Sequence, residues 1–305
     1  RRTHREPRLP RHGAAPARRI LNRRAEKIIR TGRSDPDVYI VPVILLLKLL
    51  LAPALVVGSS LAGRRWGAQV TGVLVTLPIV AGPILLITCL EHGTAFGAAA
   101  ASSSLLGLVT LALFAVVFAW CSRRMRWAGA LATAWAACLV ADLAVAQVSL
   151  PAWWGMPVTL AGIAAASRAL PPVAAATGVR PLSKWPWWDL PGRAAATASL
   201  VVLVTTLSSA LGPQMTGVLA PFPIATSVVA AFVLAGHGSA EAVRTLRGVL
   251  TGLVGFAVFC FVVAVLVDRW GVAVAFGLAL TVTVAGQLAW LRLRHTIRPT
   301  AAPAR

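Results

Sequence analysis

Apolar runs of about 20 residues recur along this chain from Val38 to Leu291, and no other feature constrains its fold as strongly. Each run is as long as an α-helix must be to cross a hydrocarbon core of ~30 Å. Hydrophobic residues make up 58% of the 305 and mean hydropathy is positive, while charged residues are 12%, about half the ~25% of ordinary soluble chains. A soluble domain of this length has nowhere to bury so much apolar surface. Within a bilayer the backbone must satisfy its own polar groups, so the runs are expected as helices. The expected fold class is therefore all-α, a polytopic transmembrane helical bundle of about nine spans.

The spans fall at roughly 40–61, 67–90, 94–121, 127–149, 153–170, 194–211, 213–236, 244–267 and 271–291. Most connections are short, as packed neighbouring helices require. The exception is 171–193, a Pro-rich stretch with Trp185, Trp187 and Trp188, read as a linker lying at the membrane interface. The chain thus divides into a basic tail (1–37), a first repeat plus an inverting helix (38–170), the linker (171–193), a second repeat (194–291) and a basic C-terminal tail (292–305).

The formal net charge of +20 suggests nucleic acid at first sight, but 12 of the 29 Lys and Arg residues lie in 1–37. That stretch lacks apolar periodicity and reads as a disordered tail, with an RNA- or lipid-binding arm as the alternative. No Met precedes Met125, so the tail is also open to being upstream of the natural start. No nucleic-acid partner is expected. The remaining positive charges orient the bundle. With the first span starting outside, Arg64, Arg65, Arg123, Arg124, Arg126, Arg244, Arg247 and Arg292 all fall inside, and only Arg269 is left outside.

The chain reads as an internal duplication. Residues 67–93 and 212–238 align without gaps at an offset of 145, with ten of 27 positions identical. The matches include Gln69/Gln214, the runs Thr71-Gly72-Val73-Leu74 and Thr216-Gly217-Val218-Leu219, Pro78-Ile79 and Pro223-Ile224, and His92-Gly93 and His237-Gly238. Apolar composition does not readily align Gln, Thr, Gly, Pro and His by chance. At the same offset Lys48 meets Arg193, and Asp142 meets Gln287. The unit has four helices. Equivalent positions are five spans apart, an odd number, so the second unit is expected upside down relative to the first. Such inverted-topology repeats are common in secondary transporters. The inversion depends on the fifth span crossing fully.

The T-G-V-L-x-x-x-P-I segment is the sharpest local feature. Pro78 and Pro223 lack an amide hydrogen and clash with the preceding turn, so each should kink or break its helix, and Gly72 and Gly217 loosen the backbone before them. Broken helices inside a membrane sit against protein or a wet cavity. The functional reading is a substrate site near Thr71, Thr76, Thr216 and Thr226. The plainer one is a pair of proline kinks with small residues for close packing. Asp142 lies well inside the fourth span, where an ionisable group is costly, and is either a proton or cation site or a structural hydrogen-bonding group. Its repeat mate Gln287 cannot titrate. Lys48 either snorkels or binds an anionic group, and Arg193 reads as an interface anchor. His92 and His237, each followed by Gly, read as helix C-terminal stops.

No enzyme is expected. The chain carries no G-x-x-x-x-G-K-[ST], H-E-x-x-H or G-x-S-x-G, and its acidic residues are too scattered for a catalytic pair. Four cysteines without C-x-x-C spacing read as free thiols, and neither a metal nor a cofactor is expected.

Residues 43–291, through LLLKLLLAPALVVGSSLAGRRWG, the first T-G-V-L-x-x-x-P-I segment and WDLPGRAAATASLVVLVTTLSSALGPQMTGVLAPFPI, resemble a set of bacterial multi-pass membrane proteins and are distantly similar to the GlpM family. The resemblance implies a bacterial cytoplasmic membrane location and a natural start near Val43. It carries over no substrate and no functional residue. The expected function is secondary transport or flipping of small or lipid-like solutes, with the bilayer as constant partner. The alternative is a non-transporting membrane scaffold or assembly factor.

Overall fold

The computed structural model describes residues 36–78, 81–148, 150–173, 186–211 and 222–297, and among these every regular element is an α-helix. The expectations for the 1–35 part of the tail, most of the 171–193 linker, Thr216 and Gly217 lie outside the described residues. So does the side chain of Lys48, although its backbone belongs to the first helix. Of the described residues, those from 47 onward belong to one compact unit and 36–46 to another.

Nine helices are described: α1 (Pro36–Trp66), α2 (Ala68–Val75), α3 (Ala81–His92), α4 (Thr94–Cys121), α5 (Trp127–Val145), α6 (Ala152–Ala169), α7 (Asp189–Leu211), α8 (Ile224–His237) and α9 (Ser239–Ile297). Among the described residues three runs are long and apolar enough to cross a membrane: Thr94–Cys121, Trp127–Val145 and Ser239–Ala289. Their outward faces are apolar too, with Val140, Leu143, Leu278, Leu280, Val284 and Leu288 all exposed. A soluble protein would present polar residues there.

Helix ends follow from backbone chemistry. Gly67, Gly93, Gly238 and Gly271 have φ of 99°, 89°, 82° and 77°, a region that side chains with a Cβ rarely enter. Each separates two helical stretches. At Gly271 α9 doubles back: Thr283 Oγ1 of the returning arm donates to the Gly255 carbonyl at 3.3 Å, and the Phe259 and Phe276 rings meet edge to face at 6.0 Å. α4 and α5 form a similar hairpin, in which Cys138 Sγ approaches the Thr110 carbonyl at 3.8 Å.

α4 and the first arm of α9 form the centre. Leu105, Phe114 and Phe118 of α4 and Leu246, Leu250, Leu253 and Phe259 of α9 are wholly or almost wholly buried. α6 lies along α4. Thr159 Oγ1 donates to the Leu105 carbonyl at 2.8 Å, and Trp120 Nε1 donates to the Ala169 carbonyl at 2.8 Å. α2 sits directly on α9, and α8 packs on α7, α5 and α9.

Candidate functional site

The break that Pro78 should cause is present: α2 ends at Val75 and α3 begins at Ala81. The groups released by the break find partners locally. Thr76 Oγ1 donates to the Val73 carbonyl at 2.8 Å, and the Pro78 carbonyl accepts the Gly82 amide at 2.8 Å. Pro223 immediately precedes α8. Thr71, Gly72, Thr76, Pro78, Pro223 and Thr226 are all buried.

Gly72 has a contact that sequence could not supply. A Cβ built on it would lie 2.0 Å from the Thr245 carbonyl oxygen of α9, and one on Gly248 would lie 2.0 Å from the Gln69 carbonyl oxygen of α2. A Cβ on Gly252 would meet Thr76 Oγ1 and the Val73 backbone. The α2 and α9 backbones therefore touch along Gly248-x-x-x-Gly252, the small-residue spacing of close membrane helix pairs. Thr71 packs on the other side, its hydroxyl against Gly63 of α1.

The structure thus gathers Thr71, Gly72 and Thr76 between α1 and the first arm of α9. Gln287 lies on the returning arm of α9, where it and Val73 of α2 line one cavity whose lining includes none of Thr71, Gly72 and Thr76. Asp142 is placed elsewhere, in the α4–α5 hairpin, 4% exposed. There Cys138 Sγ lies 3.6 Å from its Oδ2, and the Thr110 side chain is within reach. Thr226 belongs to the start of α8, whose next residue, Ser227, accepts the Trp135 indole N–H at 2.8 Å.

Sequence reasoning missed one constellation. Arg193, read as an interface anchor, is 0% exposed. It is held by Asp189 through Nε to Oδ2 at 3.0 Å and a terminal nitrogen to Oδ1 at 3.2 Å, and its guanidinium lies 5.1 Å from the Phe232 ring centre. Arg64, in the last turn of α1, donates to the same Asp189 Oδ2 at 2.9 Å. A buried cation persists only when paired and hydrogen-bonded, which is why the anchor reading fails here. The available signal was Asp189-x-x-x-Arg193, an i,i+4 pair at the head of a helix. His237, at the end of α8, is close enough to feel Arg193, Arg64, Asp189 and Glu241. Burial, and then the Arg193 charge, push its pKa below the ordinary value.

Among the described residues no group of His, Cys, Asp and Glu could hold a metal ion. No family model, curated protein or solved structure matches the chain.

Proposed function

We propose that this chain is a multi-pass membrane protein that moves small or lipid-like solutes by rocking two inverted four-helix repeats against each other. The observation that carries the reading is the Arg64–Asp189 ion pair. Arg64 lies in the last turn of α1 and Asp189 opens α7, the repeat mate of α1. Mates joined end to start run in opposite directions, which is what inversion requires.

Helix boundaries support the duplication. α1 and α7 end at Trp66 and Leu211, α3 and α8 end at His92 and His237, and α4 and α9 begin at Thr94 and Ser239, each pair 145 residues apart. α5 begins at Trp127, and the returning arm of α9 begins just past Gly271. α6 bears on the odd count through its length and direction, although it is not among the three runs apolar enough to cross a membrane. Its 18 residues extend about 27 Å at ~1.5 Å each. Its contacts advance along α4 from Leu105 to Trp120, parallel to it. The bonds Arg64–Asp189, Trp120–Ala169 and Arg247–Pro171 each join two ends expected on the inner face.

The test has two parts. In a chain with Cys89, Cys121, Cys138 and Cys260 replaced, Ala95→Cys and Ala240→Cys place single exposed probes one residue into α4 and α9. Labelling from opposite membrane faces is expected; labelling from the same face makes the repeats parallel. Vesicles containing the purified chain should then move a fluorescent lipid between leaflets faster than empty vesicles. Opposite-face labelling with no movement of any lipid or solute tried would favour a scaffold.

A further inference from the structure

The turn between α4 and α5 runs Ser122-Arg123-Arg124-Met125-Arg126, with three guanidiniums in four positions. Its backbone is held in place. The Ser122 amide donates to the Phe118 carbonyl at 2.8 Å, and the Arg124 and Met125 amides both donate to the Cys121 carbonyl, at 3.0 and 2.8 Å. The Ser122 side chain is buried and donates to the Ala119 carbonyl at 2.8 Å. Arg123, Arg124 and Arg126 are left exposed. The Arg123 guanidinium lies 5.7 Å from the Trp120 ring centre, and the Trp120 indole is fixed by its 2.8 Å bond to the Ala169 carbonyl. That bond brings the end of α6, with exposed Arg168, to the same edge.

The other cations at this end of the bundle have partners. Arg64 and Arg193 share Asp189, Arg244 pairs with Glu241, and Arg247 donates to the Pro171 carbonyl at 3.1 Å. The acidic side chains among the described residues are Asp142, Asp189, Glu241 and Asp268, and none of them forms an ion pair with Arg123, Arg124, Arg126 or Arg168. Asp142 stands sixteen residues along α5 from Arg126, about 24 Å at ~1.5 Å per residue. Asp268 stands just before Gly271, at the far end of the first arm of α9. Four guanidiniums thus share one edge without a carboxylate. Like charges gathered in this way attract a counter-ion. α5 brings no relief, because its N-cap is Arg126, a side chain with donors only.

Position selects the source of the anion. The turn joins Thr94–Cys121 to Trp127–Val145, both long and apolar enough to cross a membrane. It therefore lies where hydrocarbon gives way to lipid headgroups. Trp120 and Trp127, 50% and 46% exposed, mark the same level, since tryptophan favours headgroup depth. Basic clusters directly beside a span attract anionic headgroups, and guanidiniums bind phosphate oxygens through paired hydrogen bonds. Four of them exceed what one phosphate can engage, whereas two linked phosphates match the cluster.

We propose that the α4–α5 turn and the end of α6 form a docking surface for an anionic phospholipid whose headgroup carries two phosphates, with Arg123, Arg124, Arg126 and Arg168 as its counter-charges. Such a lipid would bind there whether or not the chain moves a solute.

The probe is cardiolipin, added to the purified full chain in micelles of uncharged detergent. Bound lipid is counted by native mass spectrometry and melting is followed in parallel. Cardiolipin should be retained more tightly than phosphatidylglycerol, and phosphatidylcholine hardly at all. Each of Arg123→Gln, Arg124→Gln, Arg126→Gln and Arg168→Gln should weaken retention about fivefold, the worth of one basic residue near an anionic surface. The quadruple variant should lose retention. Its lipid-free melting midpoint should stay in place because all four side chains are exposed, and the single variants decide the matter if it fails to fold. Arg269→Gln removes an exposed charge at the far end of the first arm of α9 and should change nothing. Rising salt should loosen the lipid. Equal retention of phosphatidylcholine, full retention by the quadruple variant, or an equal loss in Arg269→Gln would each overturn the surface. Displacement of cardiolipin by millimolar inorganic phosphate would make the ligand a soluble anion, and displacement by a short RNA would make it nucleic acid; either overturns the lipid assignment.

Discussion

Asp189 sits between two guanidiniums, one of them fully buried, and so sets the charge balance at one end of the bundle. Removing one partner of such a pair leaves a cation without compensation, whereas replacing the pair with apolar groups of similar volume is far less harmful. Asp189→Ala is therefore expected to destabilise the chain by about 3–5 kcal/mol, and Asp189→Leu with Arg193→Met by much less. Melting of the purified variants in micelles compares the two, and equal losses would show that the pairing is not what matters. His237 belongs to the same neighbourhood, where Arg193 and Arg64 oppose its protonation and Asp189 and Glu241 favour it, burial being the largest influence. Its folded pKa lies below its unfolded one. Between the two values the unfolded chain binds the extra proton, so stability falls as pH drops below about 6.5. The melting midpoint should decline as pH is lowered from 7 toward 5, and His237→Gln should flatten that decline; an unchanged slope would clear His237 of responsibility.

At the scale of elements, the α2–α9 contact is the closest approach of two helix backbones described above. Gly72, Gly248 and Gly252 permit it, because any Cβ at these positions would strike backbone or a Thr hydroxyl. Backbone cannot yield as a flexible side chain can. Gly248→Val is expected to cost at least the ~1–3 kcal/mol typical of overpacking, while the same change at Gly58, which faces no neighbouring atom, should be mild. Comparing the two midpoints checks this. The break after α2 was legible because proline acts through its own ring and missing amide, whatever the surroundings. The helix on which Gly72 would lean was not legible, since periodicity names a face but not what covers it.

For the whole molecule, the two halves interlock. α2, from the first half, packs on α9 of the second, and α4 and α9 share the central core. The first half is not expected to be stable alone. Expressed by itself, a chain ending at residue 173 should be degraded or aggregate, whereas both halves expressed together should co-purify. A soluble, monodisperse first half in micelles would show that each repeat folds independently.

Hydrophobic run length by itself determined that this chain is helical and suited to a membrane, because a bilayer leaves the backbone few other solutions. Glycine and proline determined many of the helix ends, since φ preference and a missing amide are properties of single residues. Only the tertiary structure decided which buried polar groups are satisfied. It placed Arg193 against Asp189, with Arg64 on the same carboxylate, gave Asp142 a thiol and a threonine for company, and buried the Gln287 amide beside Gly255 with no hydrogen-bond partner among the described residues. Satisfaction of a polar group depends on neighbours distant in sequence, and in the second hairpin it turned on the absence of a side chain at Gly255.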